Sequence, residues 1–342
     1  MKQLIQPFTI LALSAFFLHG LTHAEDAVEI KRVTAPELSM AMMKDVITPH
    51  YDQLQQASTQ LVASSKQLCN KPSPEALSSA RKAYLATLIA WRKIEIAPIG
   101  PSNNVNNGRI FESPAAPLAD LVEQGKQTPD RAMVDGEAHF HGMKLPDGTI
   151  GMPAIASLLF HGTTSQTLQL LKQDKNCAYL QWQTQVTARQ ITVQQYEWTG
   201  LIRGAAYDVS YPGQFVTEYL NRIIAGASSF RNLKLSGEAD NWQDAKTGAT
   251  AAGIAANVQG LKILLEGKDG GIGLDDYLIS RDKAALWQKA AKQLAQLEAA
   301  STQLDASPNA KTAEKINLAA DQLANTLKTE VAPALNIRTE KK

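Results

Sequence analysis

Apolar residues recur along most of this chain at steps of three and four, the spacing that places side chains on one face of an α-helix. In "PEALSSARKAYLATLIAWRKIEI" the positions Leu77, Ala80, Tyr84, Leu88 and Trp91 form such a stripe, while Arg81, Lys82, Arg92 and Lys93 fall largely off it. Ser73 and Pro74 supply an N-cap and a first-turn residue for that helix. The same periodicity predicts helices over residues 38–68, 152–173, 177–198, 213–231, 250–266, 281–305 and 311–335, and strand-like alternation is almost absent. Long helices joined by breaks as short as "CNKPSP" and "KQDKN" pack as antiparallel neighbours. The expected fold class is therefore all-α. About eight long helices exceed one simple bundle, so two tandem helical-bundle domains are predicted, over residues 33–173 and 177–338.

Two stretches interrupt the helical pattern. In "APIGPSNNVNNGRIFESPAAP", residues 97–117, glycine, proline and asparagine replace helix formers. In "VDGEAHFHGMKLPDGTIGMP", residues 134–153, the Pro146-Asp147-Gly148 triplet can close a small hairpin. Irregular segments of this length in a helical protein are often binding loops, and as often plain surface connections.

The N-terminus sets the compartment. Lys2, the apolar run over residues 8–18 and the small Ala24 before a polar start form a signal peptide over residues 1–24, with cleavage expected after Ala24. The apolar run is too short to span a bilayer, no later segment is a better candidate, and no cysteine stands at the cleavage point to carry a lipid. A periplasmic product without a membrane span follows. Removing one lysine from 34 basic residues leaves them equal to the 33 acidic ones, a balance that argues against a nucleic-acid partner. Cys69 and Cys177 both lie in the exported part, and in an oxidising compartment an even count favours a disulfide between them.

Several strings, in order, resemble the imelysin family. "AWRKIEIAPIGP" is similar to the family's Trp-bearing helix running into a Gly-Pro loop, and "GMPAIASLLF" to its Gly-x-His-x-x-Glu helix. "ITPHYDQL", Cys69 before "NKPSPEAL", "CAYLQ" at Cys177 and "GGIGLDDYL" add to the match, which covers most of the exported chain. The resemblance implies an exported, all-helical bacterial protein linked to iron uptake, with a pair of helical bundles, a site between them and, in some members, metallopeptidase activity. The motif's histidine and glutamate would share one helical face and hold a metal or a proton between them. Here those positions are Pro153 and Ala156, which offer no lone pair. His161 is no substitute, since at about 100° per residue it lies about 80° around the helix from Pro153 and about 140° from Ala156. The loop after Pro101 also departs from the family pattern, reading "ESPA" from Glu112, and the C-terminus "ALNIRTEKK" lacks a Gly/Asp-rich ending.

One other constellation carries metal chemistry. Asp135, Glu137, His139 and His141 occupy alternate positions, so an extended backbone would present them on one face at about 6.6 Å intervals, within reach of a single ion of the Zn, Cu or Ni kind, and a divalent metal, Fe, Zn or Cu, is the cofactor the chain would take. A solvated polar loop has the same composition. Candidate cleft residues are Trp91, Glu95, Gly100, Pro101, Arg109 and Gly151, each with a structural reading beside it: core packing for Trp91, pairing with Arg92 for Glu95, backbone bonding for Arg109. No Gly-x-Ser-x-Gly elbow and no His-Glu-x-x-His helix is present, so no catalytic residue is named. The chain thus reads as an exported binding protein of the cell envelope that takes a metal or small ligand between its bundles. By the family resemblance its setting would be iron or other metal uptake, directly or through an envelope partner protein, and the reading is of a protein without peptidase activity. A metallopeptidase with a displaced metal site and an interaction scaffold are the alternatives.

Overall fold

The computed structural model describes residues 32–127, 145–173, 175–306 and 308–339. The segment expected to be a signal peptide, residues 1–24, lies outside them, as do Asp135, Glu137, His139 and His141. Among the described residues there is no strand, and no helix is long and apolar enough to cross a membrane.

The chain opens with α1 (Ala35–Ala41), capped by a reciprocal Thr34–Glu37 box, and passes through a π-helical segment, Met42–Ile47, into α2 (Thr48–Asn70). Pro74 opens α3 (Pro74–Glu95), and the Ser73 hydroxyl accepts from the Ala76 amide at 3.2 Å, as the pattern predicts. A 3₁₀ turn, Gly100–Ser102, then α4 (Val105–Asn107) and a π-helical turn, Gly108–Glu112, carry the Asn-rich segment to α5 (Leu118–Gln127). After the Pro146–Gly148 turn comes α6 (Met152–Leu159), with Pro153 in its first turn.

Residues 152–173, predicted as one helix, form two. Phe160 leaves the helical region, Gly162 adopts a positive φ of 62°, and Thr163 with Gln166 caps α7 (Thr164–Leu171). The 30-residue α8 (Asn176–Ala205) follows, then α9 (Tyr211–Ser229) with a third π-helical segment, Phe230–Lys234. A looped stretch with two 3₁₀ turns, Ala239–Asn241 and Ala245–Thr247, leads to α10 (Thr250–Glu266). The chain finishes with α11 (Leu274–Ile279), α12 (Ala284–Ser301), α13 (Gln303–Ala306), α14 (Ala310–Thr326) and, after the π-helical Leu327–Val331, α15 (Ala332–Ala334). The Asp276 carboxylate accepts from the Gly273 amide at 3.2 Å and so caps α11.

Packing sorts the helices into two groups. α2 lies against α3 and α8, with α6 and α7 on their flanks; α9, α10, α12 and α14 pack among themselves and take in α1 and α11. α8, placed by the sequence at the head of a second bundle, lies along α2 and α6 of the first group. The predicted disulfide forms there: Cys69 at the end of α2 is bonded to Cys177 at the start of α8, with Cα atoms 5.5 Å apart. The two groups meet where α3 packs on α10, and one apolar core runs from Leu38 to Ala332 across that seam.

This seam corrects the expectation for Arg92. Periodicity puts it on a polar face, yet its side chain is 4% exposed. α2 covers one side of α3 and α10 another, so the face that would meet water in a two-helix contact meets protein here.

Candidate functional site

The last two turns of α3 present Trp91, Arg92 and Glu95 to a cavity of about 930 Å³. Its walls come from distant parts of the chain: the 98–115 segment, Pro153 and Ala156 of α6, Arg222 and Gly226 of α9, and the 240–247 loop. Four charged side chains of its lining, Arg92, Glu95, Glu112 and Asp244, form one network with a fifth, Lys234, which is not part of the lining. The Arg92 guanidinium forks onto Asp244, with Nε to Oδ2 at 2.9 Å and Nη2 to Oδ1 at 2.8 Å, and its Nη1 reaches Glu112 Oε1 at 2.6 Å. Glu95 Oε1 lies 3.5 Å from Arg92 Nη1 and accepts from Lys234 Nζ at 2.6 Å and from Asn257 Nδ2 at 2.8 Å. Trp91 Nε1 also donates to Glu112 Oε1, and its ring stacks on Phe111 with centroids 4.1 Å apart.

Local backbone geometry delivers these groups. Glu112 and Lys234 are each the last residue of a π-helical turn, whose wider winding re-aims a side chain relative to the preceding helix. Asp244 sits in the left-handed region at φ 65°, uncommon for a residue other than glycine, and the bidentate bond to Arg92 holds it there.

Burial sets the charge states. Burial opposes the Arg92 cation, but Glu112 and Asp244 more than offset it, so the guanidinium stays protonated. Burial also works against the Glu95 carboxylate, and Lys234 with Arg92 overcomes it, holding Glu95 below the usual carboxylate range. Glu112 goes the other way: burial, reinforced by the Glu95 charge, raises it in spite of Arg92. Its side chain is also the most open of the three carboxylates, 31% exposed against 11% for Glu95 and 8% for Asp244.

The predicted site residues separate into two sets. Trp91 and Glu95 line the cavity together, and Glu95 pairs with Arg92 as its spacing suggests. Gly100, Pro101, Arg109 and Gly151 are not among the residues that line it. Arg109 clasps the Pro146–Gly148 turn, bonding Asp147 Oδ1 at 2.8 Å and the Leu145 carbonyl at 2.7 Å. Gly100 donates its amide to Glu218 at 3.0 Å. Gly151 donates to Gln183 at 2.7 Å and has φ 73°, and a Cβ there would come within 2.2 Å of the Ile110 carbonyl oxygen, so its role is backbone packing. His161 is exposed, beyond the end of α6. Glu112, Lys234 and Asp244 are the network side chains that sequence reasoning missed, and Arg92 entered it only as a partner for Glu95. The only local signal was a charged residue beside Trp91; the partners stand 20 to 152 positions away.

Comparison with known proteins decides the family. The imelysin (peptidase M75) family model matches residues 47–334. The chain belongs to the imelysin family. Among solved structures, an imelysin-like protein from Psychrobacter arcticum 273-4 superposes with a TM-score of 0.70 at 17% identity, covering 90% of this chain and 98% of that one. A protein from Parabacteroides distasonis ATCC 8503, described as an iron-regulated protein A precursor, gives 0.64 at 11% identity, covering 86% and 94%. No curated protein matches.

In this imelysin-family chain, Pro153 and Ala156 line the cavity wall where the resemblance places the motif's histidine and glutamate. The residues present do not fit a resident metal there. A proline ring and a methyl group supply no donor, and Glu95, Glu112 and Asp244 are each bonded to Arg92 or Lys234. Among the described residues, no three His, Cys, Asp or Glu side chains group so as to hold a metal ion.

Proposed function

We propose that this chain is an exported binding component of the cell envelope that works in iron or other metal acquisition by capturing a ligand in the seam cavity, and that it does not cleave peptides. The observation that carries this reading is a large cavity whose family metal positions carry no donor atom. Pro153 and Ala156 face it without lone pairs, Asp244 and Glu95 are held by Arg92 and Lys234, and Glu112 is bonded to Arg92 through Oε1. Hydrolysis of a peptide by a metal or a general base needs an open coordination position or an available basic group. Family membership and the likeness to a protein described as an iron-regulated protein A precursor support the iron-related setting. The disulfide, stable where thiols are oxidised, supports export.

The test has two readouts on the protein recovered from a periplasmic fraction. Incubation with an unfolded protein substrate and added iron, zinc or copper is expected to give no cleavage products, and native mass spectrometry is expected to show a small molecule retained by the folded chain. Chelator-sensitive cleavage would overturn the non-peptidase reading, and failure to appear in the periplasm would overturn export.

A further inference from the structure

Resting on the ligand-cavity reading, we propose that the cavity selects an organic monocation, an ammonium or guanidinium group carried on an apolar stem, with the cation seated at the open face of Glu112. Charge balance is the first support. Two buried cations, Arg92 and Lys234, face three carboxylates, Glu95, Glu112 and Asp244, so the network is one positive charge short. The rim does not correct this. Arg222 is ion-paired with Glu218 at 3.6 Å, and the remaining rim charges, Asp240 and Lys246, are of opposite sign.

Geometry locates the shortfall. Asp244 takes the Arg92 fork on both oxygens and Glu95 is held through Oε1 by Lys234 and Asn257, and at 11% and 8% exposed Glu95 and Asp244 are closed off from the cavity compared with Glu112 at 31%. Glu112 Oε1 takes Trp91 and Arg92, whereas Oε2 has Gln243 Nε2 at 3.2 Å and an open side. Burial favours a proton on this carboxyl when nothing else compensates it, and a ligand cation would take over that compensation.

Size and wall chemistry choose between kinds of cation. A dication would bring two charges against a shortfall of one, beside a resident guanidinium, and would have to strip oxygens from Arg92 or Lys234. A volume of about 930 Å³ is within the range of small-molecule sites and far larger than a bare ion. The surfaces contributed by Leu88, Ile96, Pro98, Pro153 and Ala156 are apolar, suited to a hydrocarbon stem.

The experiment titrates the exported chain with n-pentylammonium, neutral n-pentanol, pentanoate and Zn²⁺, read by calorimetry and by ligand-observed NMR. Pentylammonium is expected to bind about tenfold more tightly than pentanol or pentanoate, the worth of one partly buried ion pair. Glu112→Gln, which keeps the acceptor for Trp91 and Arg92 but removes the charge, is expected to erase that preference and leave pentanol binding unchanged; Glu112→Asp, which keeps the charge, is expected to retain it. Equal or stronger binding of pentanol or pentanoate would overturn the cation assignment while leaving the ligand cavity standing. Binding of Zn²⁺ in competition with pentylammonium, or an unchanged preference in Glu112→Gln, would also overturn it. Absence of binding by every probe would overturn the cation assignment and the cavity reading together.

Discussion

His50 shows how a single residue responds to an interior that its local sequence does not announce. It stands in the first turn of α2, is 7% exposed, and its pKa is lowered to about 4 by burial and by the neighbouring charges of Lys93 and Lys268. A histidine in the unfolded chain titrates near 6.5, so between these values the unfolded state binds the proton and the folded state refuses it. The stability that neutral His50 contributes is therefore complete above about pH 6.5 and lost as pH falls towards about 4. We expect the wild-type chain to be about 2 kcal/mol less stable at pH 5 than at pH 7 from this group alone. Denaturant unfolding at the two pH values checks it: His50→Gln should show a smaller acid loss, and an equal loss in both proteins would assign the effect elsewhere. The cluster at the end of α3 follows the same logic. Arg92 is tolerated in the interior because Asp244 and Glu112 meet its fork, a fact about three residues that no one of them carries alone.

At the scale of elements, the periodic pattern placed the helices and the seam tightened them. α9 and α10 each lay a glycine on the end of α3: a Cβ on Gly226 would stand 1.8 Å from the Ile96 carbonyl oxygen, and one on Gly260 would stand 2.3 Å from that of Lys93. Backbone meets backbone there, and a methyl group has nowhere to go. Gly200 in α8 has open space around the same position. Gly226→Ala and Gly260→Ala are thus each expected to lower stability by about 2–3 kcal/mol through overpacking. Gly200→Ala should raise it by about 0.5–1 kcal/mol by reducing the freedom of the unfolded chain. Thermal midpoints of the three variants separate the cases, and a loss in Gly200→Ala equal to that in Gly226→Ala would remove the close-approach explanation. The break between α6 and α7 has a local cause instead: Gly162 and the Thr163 cap turn the chain before periodicity alone would.

For the whole molecule, the disulfide and the seam act at different places. Cys69–Cys177 fastens α8 to α2 across a separation of 108 residues, away from the cavity-lining segments. The double variant Cys69→Ser/Cys177→Ser is expected to unfold with about 2–5 kcal/mol less stability while keeping ligand selectivity, because what it removes is chiefly a restraint on the unfolded chain. Equilibrium unfolding beside the probe titration would show this, and lost selectivity at retained fold would contradict it. We keep two tandem bundles as a proposal for the chain's organisation, with α8 lying against the first. What the sequence by itself determined was the all-helical class, the cap at Ser73, the cysteine pair, and the absence of donor atoms at Pro153 and Ala156. These follow from local periodicity, terminal hydrogen bonding and side-chain chemistry, which depend on near neighbours. Only the tertiary structure decided that Arg92 is interior, that Glu112, Lys234 and Asp244 meet beside it, and that a cavity opens between α3, α6 and α9. Those depend on which faces of distant helices are brought together, and one-dimensional spacing holds no record of that.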